Sequence, residues 1–99
     1  MIYLSGKISD GDKEESTFER FNEAESLLKS EGYEVFNPAS FEEENRSWEY
    51  YLARDLLWIV ENEPTLYMLK GWEESKGARL EFELASLLEL EIKYEGILA

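Results

Sequence analysis

Thr65-Leu66-Tyr67-Met68-Leu69, followed by Lys70 through Ala85 (Lys-Gly-Trp-Glu-Glu-Ser-Lys-Gly-Ala-Arg-Leu-Glu-Phe-Glu-Leu-Ala), is the stretch that decides the fold. The first five residues are nearly all apolar, as an inner strand of a parallel sheet should be. A glycine-containing loop comes next, and then Gly77, Ala78, Glu81, Leu84, Ala85 and Leu88 recur at helical spacing. Strand, loop and helix in that order form half of a βαβ unit, and ligands bind beyond the carboxyl ends of such strands. At about 100° per residue, Glu81 falls within the arc of Leu80, Leu84, Ala85 and Leu88, while Arg79, Glu83 and Ser86 fall opposite. A buried unpaired carboxylate is costly. Glu81 is therefore either part of a site or a rim residue that reaches water, and periodicity leaves both readings open.

The rest of the chain repeats this alternation. Ile2-Tyr3-Leu4 is a short buried strand that stops at Ser5-Gly6. A polar loop to Glu15 leads to Ser16-Thr17-Phe18-Glu19, a capping box for a helix with Phe18, Phe21, Ala24, Leu27 and Leu28 on one face and Gly32 at its end. Tyr33 to Phe36 is a second strand, closed by Asn37-Pro38, and residues 41–46 form an acidic surface connector. Ser47 caps a helix whose apolar face is Trp48, Tyr51, Leu52, Leu56, Ile59 and Val60. Asp55 lies in the middle of that face, with Arg54, Leu57 and Glu61 opposite. Leu90, Ile92 and Tyr94 alternate with charged residues as a half-exposed edge strand does. Such a chain folds as one α/β domain over residues 1–99, a three-layer sandwich around a parallel sheet of four to five strands in the order 2-1-3-4.

Composition narrows the function. Twenty-three acids against ten bases give a net charge of −13, which excludes a binder of nucleic-acid polymers that relies on basic phosphate contacts. The same charge permits one small anion held at a helix N-terminus. Without cysteine or histidine, disulfides and the usual zinc sites are excluded, and acid–base chemistry near neutrality falls to carboxylates, tyrosines or lysines. No metal and no organic cofactor is expected. No apolar run has the length of a membrane span and no signal peptide opens the chain, so the expected setting is cytoplasmic. The apolar Gly96-Ile-Leu-Ala tail suggests packing on a second subunit, as exposed apolar patches often do.

Two inward carboxylates, Asp55 and Glu81, suit glycosyl chemistry, in which one acts as nucleophile and the other as acid. At this point a resemblance enters. Ile2-Tyr3-Leu4-Ser5-Gly6, Asn37-Pro38, Arg54-Asp55-Leu56 with Trp58, and Ser75-x-Gly77-x-x-x-Glu81-x-x-x-Ala85 resemble, in order, the nucleoside 2-deoxyribosyltransferase superfamily. The most similar branch is small, of unknown function, with a Gly-Trp-Glu-x-Ser-x-Gly-Ala-x-x-Glu core. The resemblance spans essentially the whole chain and implies a Rossmann-like (flavodoxin-like) fold. It also implies cleavage of the N-glycosidic bond of a deoxynucleoside 5′-monophosphate or deoxynucleoside, by hydrolysis or by transfer. It gives Glu81 the role of nucleophile, Asp55 that of acid at the leaving base, and Tyr3 that of holding the nucleophile. Ser75 would meet the 5′-phosphate, and Gly6, Lys7 and Ser9 would line sugar and phosphate. Ser5, Asn37, Trp72 and Gly77 fall in the same motifs and complete the expected substrate-binding set. The superfamily usually places an aspartate just before the third strand, where this chain has Glu63-Pro64-Thr65. Its members tend to complete their sites across subunits, which implies a homodimer or a dimer of dimers.

For several residues a plain packing or solvation role stands beside the functional one. Tyr3 suits a strand core, and Trp48 and Trp72 either stack on a base or simply pack. Lys7, Lys76 and Arg79 either hold a phosphate or pair with surface acids. A nucleotide-binding module without catalysis, or an accessory subunit, is the competing class of function.

Overall fold

The computed structural model describes residues 1–7, 15–40 and 46–96. Its elements are β1 (Ile2–Ser5), α1 (Glu15–Ser30), β2 (Val35–Phe36), α2 (Trp48–Asn62), β3 (Thr65–Met68), α3 (Lys76–Leu87) and β4 (Ile92–Tyr94). Short 3-10 turns occupy Pro38–Ser40 and Trp72–Glu74. The four strands form one sheet in the order β2-β1-β3-β4, parallel throughout. This is the expected α/β Rossmann-like sandwich with the expected strand order.

Alternation along the strands assigns the two faces. Ile2 and Leu4 of β1 join Phe21, Ala24 and Leu28 of α1 in one core cluster, with Val35 and Tyr67 packed against it. Tyr3 of β1 and Leu66 and Met68 of β3 point the other way, to Ile59 of α2 and to Ala78 and Ala85 of α3. The layers are therefore α1, sheet, and α2 with α3. Tyr3 pairs in register with Leu66, and Ser5 with Met68, so Ser5 shares the face of Tyr3. That parity places the Ser5 hydroxyl among the side chains of the α2–α3 layer.

Several boundaries differ from the sequence reading. α1 opens at Glu15, so Ser16 stands in its first turn and not ahead of it; helix ends commonly shift by a residue or so. β2 is reduced to two residues at the sheet edge. Leu88, expected on the buried face of α3, is 38% exposed, because the helix stops at Leu87 and Glu89 turns left-handed with φ 59°. Val60 is exposed as well, since it lies about 140° around the helix from Asp55. The connector 41–45 and tail residues 97–99 lie outside the described residues, as does Ser9. Among the described residues no helix is long and apolar enough to cross a membrane.

Candidate active site

The site begins at the carboxyl end of β1, where Tyr3 and Ser5 point toward the α2–α3 layer. α3 is aligned by its cap: the Ser75 hydroxyl accepts from the Ala78 backbone N–H at 3.2 Å. Two turns of helix then bring Glu81 over β1. The Tyr3 hydroxyl donates to Glu81 Oε2, and the Ser5 hydroxyl donates to Oε1 at 2.7 Å. Each carboxylate oxygen thus has its own donor, and Glu81 is only 6% exposed. The rim reading of Glu81 is excluded by that burial.

Asp55 arrives from α2, whose own cap is the Ser47 hydroxyl accepting from the Tyr50 N–H. It is buried and interacts with the same Tyr3 hydroxyl. Tyr3 therefore stands between two carboxylates on two helices. On its outer side Asp55 Oδ1 accepts from Arg54 Nε at 3.1 Å and Arg54 Nη2 at 3.0 Å. Arg54 also lies over the Tyr51 ring, 5.2 Å from its centroid.

Burial dominates the protonation of this group. Loss of water pushes the Glu81 carboxyl up to about 7; the Tyr3 and Ser5 hydrogen bonds pull it down, and the charge of Asp55 adds to the rise. Burial raises Asp55 above the ordinary aspartate range against the opposing pull of Arg54, first by its charge and then by its hydrogen bonds, and of Tyr3. Burial, then the Glu81 and Asp55 charges, hold the Tyr3 proton well above the usual tyrosine value. The result is a Glu81 carboxyl able to exchange a proton near neutrality, an Asp55 carboxyl raised above its ordinary range, and a Tyr3 hydroxyl that stays protonated.

An aromatic wall backs the group. The Tyr3 ring stacks on Phe36 at 5.6 Å and tilts against Trp58 at 5.9 Å, and Phe36 stacks on Trp58 at 4.1 Å. Tyr3 is accordingly a buried core residue whose hydroxyl also binds Glu81.

Residues 1–94 match the family described as "Domain of unknown function (DUF4406)". The chain belongs to that family. No curated protein and no solved structure matches the chain. The DUF4406 description names no reaction, so chemistry has to be read from the side chains.

Within this DUF4406 domain the sequence-derived candidates divide into three groups. Tyr3, Ser5, Asp55 and Glu81 are brought together. Gly6 and Ser75 stand at the adjoining strand and helix ends, and a methyl group at Gly77 would meet Leu52 and Trp48 of α2 at 3.8 Å. Lys7 is exposed and paired with Glu74 at 3.5 Å. Two candidates face elsewhere. Asn37 follows the edge strand on the α1 side, where its amide donates to Asn22 Oδ1 and Glu25 Oε1 and its Oδ1 accepts from the Ala39 N–H. Trp72 stacks on Phe82 at 4.8 Å and leans on Tyr94 at 6.4 Å, which makes it a cover for the β4 side of the core. Arg54 was not foreseen as a site residue. The wheel sets its Cα away from Asp55, but a side chain of that length folds back along the helix.

Proposed function

We propose that this protein cleaves the N-glycosidic bond of a 2′-deoxynucleoside 5′-monophosphate, or of the matching deoxynucleoside, through a covalent glycosyl–Glu81 intermediate. The observation that carries this reading is a buried Glu81 carboxylate held at both oxygens by hydroxyls, with Asp55 on the far side of the Tyr3 hydroxyl. Glu81, ionised, attacks C1′ and forms an ester as the C1′–N bond breaks. The bonding pair leaves with the base nitrogen, which takes the proton of Asp55. A water, or a second base, then attacks C1′ and gives its proton to the Asp55 carboxylate, and Glu81 is released as carboxylate. Tyr3 and Ser5 fix the attacking group by hydrogen bonds that spare its remaining lone pairs. The 5′-phosphate rests at the amino end of α3 beside Ser75, where unpaired amides and the helix dipole favour an anion. Neither a metal nor an organic cofactor takes part.

A second reading follows from the same carboxyl. With Glu81 near half-protonated at pH 7, the group suits a neutral hydrogen-bonding element of a nucleotide-binding module without turnover. The deciding experiment incubates the protein with each deoxynucleoside and deoxynucleoside 5′-monophosphate and measures free base by chromatography. Base release that is lost in Glu81→Gln supports the glycosidase. Nucleotide binding by calorimetry with no base from any substrate supports the module.

A further inference from the structure

The carboxyl end of β2 is held in place more by a side chain than by its own ladder. β2 has two residues, fewer than the roughly three to ten usual for a strand. It pairs with β1 through Val35 opposite Ile2 and Phe36 opposite Tyr3. Asn37, the next residue, is 1% exposed. Its amide nitrogen donates to Asn22 Oδ1 and Glu25 Oε1 of α1, each at 3.1 Å. Its Oδ1 accepts from the Ala39 N–H at 3.0 Å, and its carbonyl accepts from the Ser40 hydroxyl at 2.7 Å and the Ser40 N–H at 3.1 Å. Both amide protons are thereby used, and Glu25 is fixed in turn by Lys29 at 2.7 Å. A buried polar network with its protons placed rigidifies the residues it joins.

Phe36 stands between this network and the site. Alternation turns its ring to the face of Tyr3, where it stacks on that ring at 5.6 Å and on Trp58 of α2 at 4.1 Å. At the far end of the Tyr3 ring the hydroxyl donates to Glu81 Oε2. We infer that Asn37 is a positioning residue for Glu81: by anchoring β2 to α1 it holds Phe36 against the Tyr3 ring and so keeps the Tyr3 hydroxyl on the carboxylate. The inference rests on the reading of Glu81 as the reacting group, yet the contact it concerns exists without substrate. Asn37 thus serves the site from the opposite face of the sheet, with no need to touch a ligand.

The test is the Glu81 titration, followed by carbon-labelled carboxyl NMR on the full chain without substrate. A failed coupling and a failed base-release assay are then separate results. The groups that face Glu81 are Tyr3 and Ser5 of β1 and Asp55 of α2, and Phe36 bears on the first of these. Asn37→Ala should raise the midpoint by roughly half a pH unit, because a displaced donor stabilises the carboxylate less. In a Tyr3→Phe background the same substitution should add nothing, since the hydroxyl through which it acts is gone. Circular dichroism checks that each variant folds. Phe36→Leu removes the stack while leaving the polar network whole, so it should raise the midpoint as well and answers the question if Asn37→Ala does not fold. A midpoint unmoved in folded Asn37→Ala or in Phe36→Leu overturns the inference and leaves Asn37 a stabilising residue. An equal shift with and without the Tyr3 hydroxyl overturns it too.

Discussion

Tyr3 and Glu81 are 78 positions apart and joined by a hydrogen bond from the Tyr3 hydroxyl to Glu81 Oε2. This contact ties the first strand to the last helix and closes the buried face of the sheet. It also sets a contest. Removal of water favours the neutral acid, while two hydroxyl donors favour the carboxylate, and burial prevails, leaving Glu81 at about 7.

That outcome makes Glu81 a liability to stability above neutral pH. An unfolded glutamate titrates near 4.5 and the folded one near 7. Between those values the folded state binds the extra proton, so stability from this group rises as pH falls from 7 to 4.5. Above 7 the cost levels off at roughly 3 kcal/mol. Glu81→Gln removes the cost while keeping the size. Its unfolding free energy, measured in urea at pH 5 and pH 8, should exceed that of the wild type at pH 8 and converge with it near pH 5. An equal gap at both values would disprove the shifted carboxyl.

Tyr3→Phe should move the carboxyl further in the same direction. The ring keeps its contacts with Phe36 and Trp58, and the protein loses one donor to a buried carboxylate, worth about 1.5–3 kcal/mol. Because the Tyr3 hydrogen bond lowers Glu81, its loss carries the titration above 7. The Glu81 carboxyl titration, followed by carbon-labelled carboxyl NMR, lies near 7 in the wild type and should shift upward in Tyr3→Phe. An unmoved titration with reduced kcat would mean that Tyr3 acts only by position.

Much of this arrangement was legible in the residues. The 2-1-3-4 sheet followed from apolar runs alternating with helical spacing, and inward placement of Asp55 and Glu81 followed from their helical wheels. Other features were hidden for physical reasons. Alternation fixes side chains relative to one another within a strand, but not which layer covers a residue just past the strand end, so Asn37 was grouped with side chains from which the sheet separates it. A wheel places Cα atoms and not the tips of long side chains, so the return of Arg54 to Asp55 was missed. Trp72, in a glycine-bearing loop, looked available to a base until the loop folded onto Phe82.

The glycines beside the site differ in what they tolerate. A Cβ at Gly6 would stand 3.0 Å from Leu69 Cβ and 3.1 Å from Cδ1. Leu69 is 1% exposed and its N–H is bound to the Ser5 carbonyl at 2.8 Å, so it has no room to retreat. Gly6→Ala should cost about 1–3 kcal/mol, seen as a lower urea midpoint with unchanged slope. At Gly77 the nearest atoms are at 3.8 Å, an ordinary contact, and alanine suits a helix better by up to about 1 kcal/mol. Gly77→Ala should therefore leave the fold intact or firmer. A fall in nucleotide affinity in this variant, by calorimetry, would then mark close approach of the ligand to the α3 amino end.

Arg54 offers the sharpest separation of the two carboxyl groups. Its Nε and Nη2 reach Asp55 Oδ1, and its charge and hydrogen bonds oppose the rise that burial imposes on Asp55. Arg54→Gln removes the charge, so Asp55 should hold its proton to higher pH. As the proposed acid, Asp55 must be protonated when the base departs, and activity falls as pH rises through its titration. The titration of Asp55 itself, followed by carbon-labelled carboxyl NMR, should accordingly move to higher pH in Arg54→Gln, while Arg54→Lys, which keeps a charge without the fork, moves it less. The Glu81 titration should stay near 7. A shift of both titrations together would mean that the carboxyl groups titrate as one coupled pair, and Asp55→Asn, which deletes one titration and leaves the other in place if the groups are separate, would decide between the two.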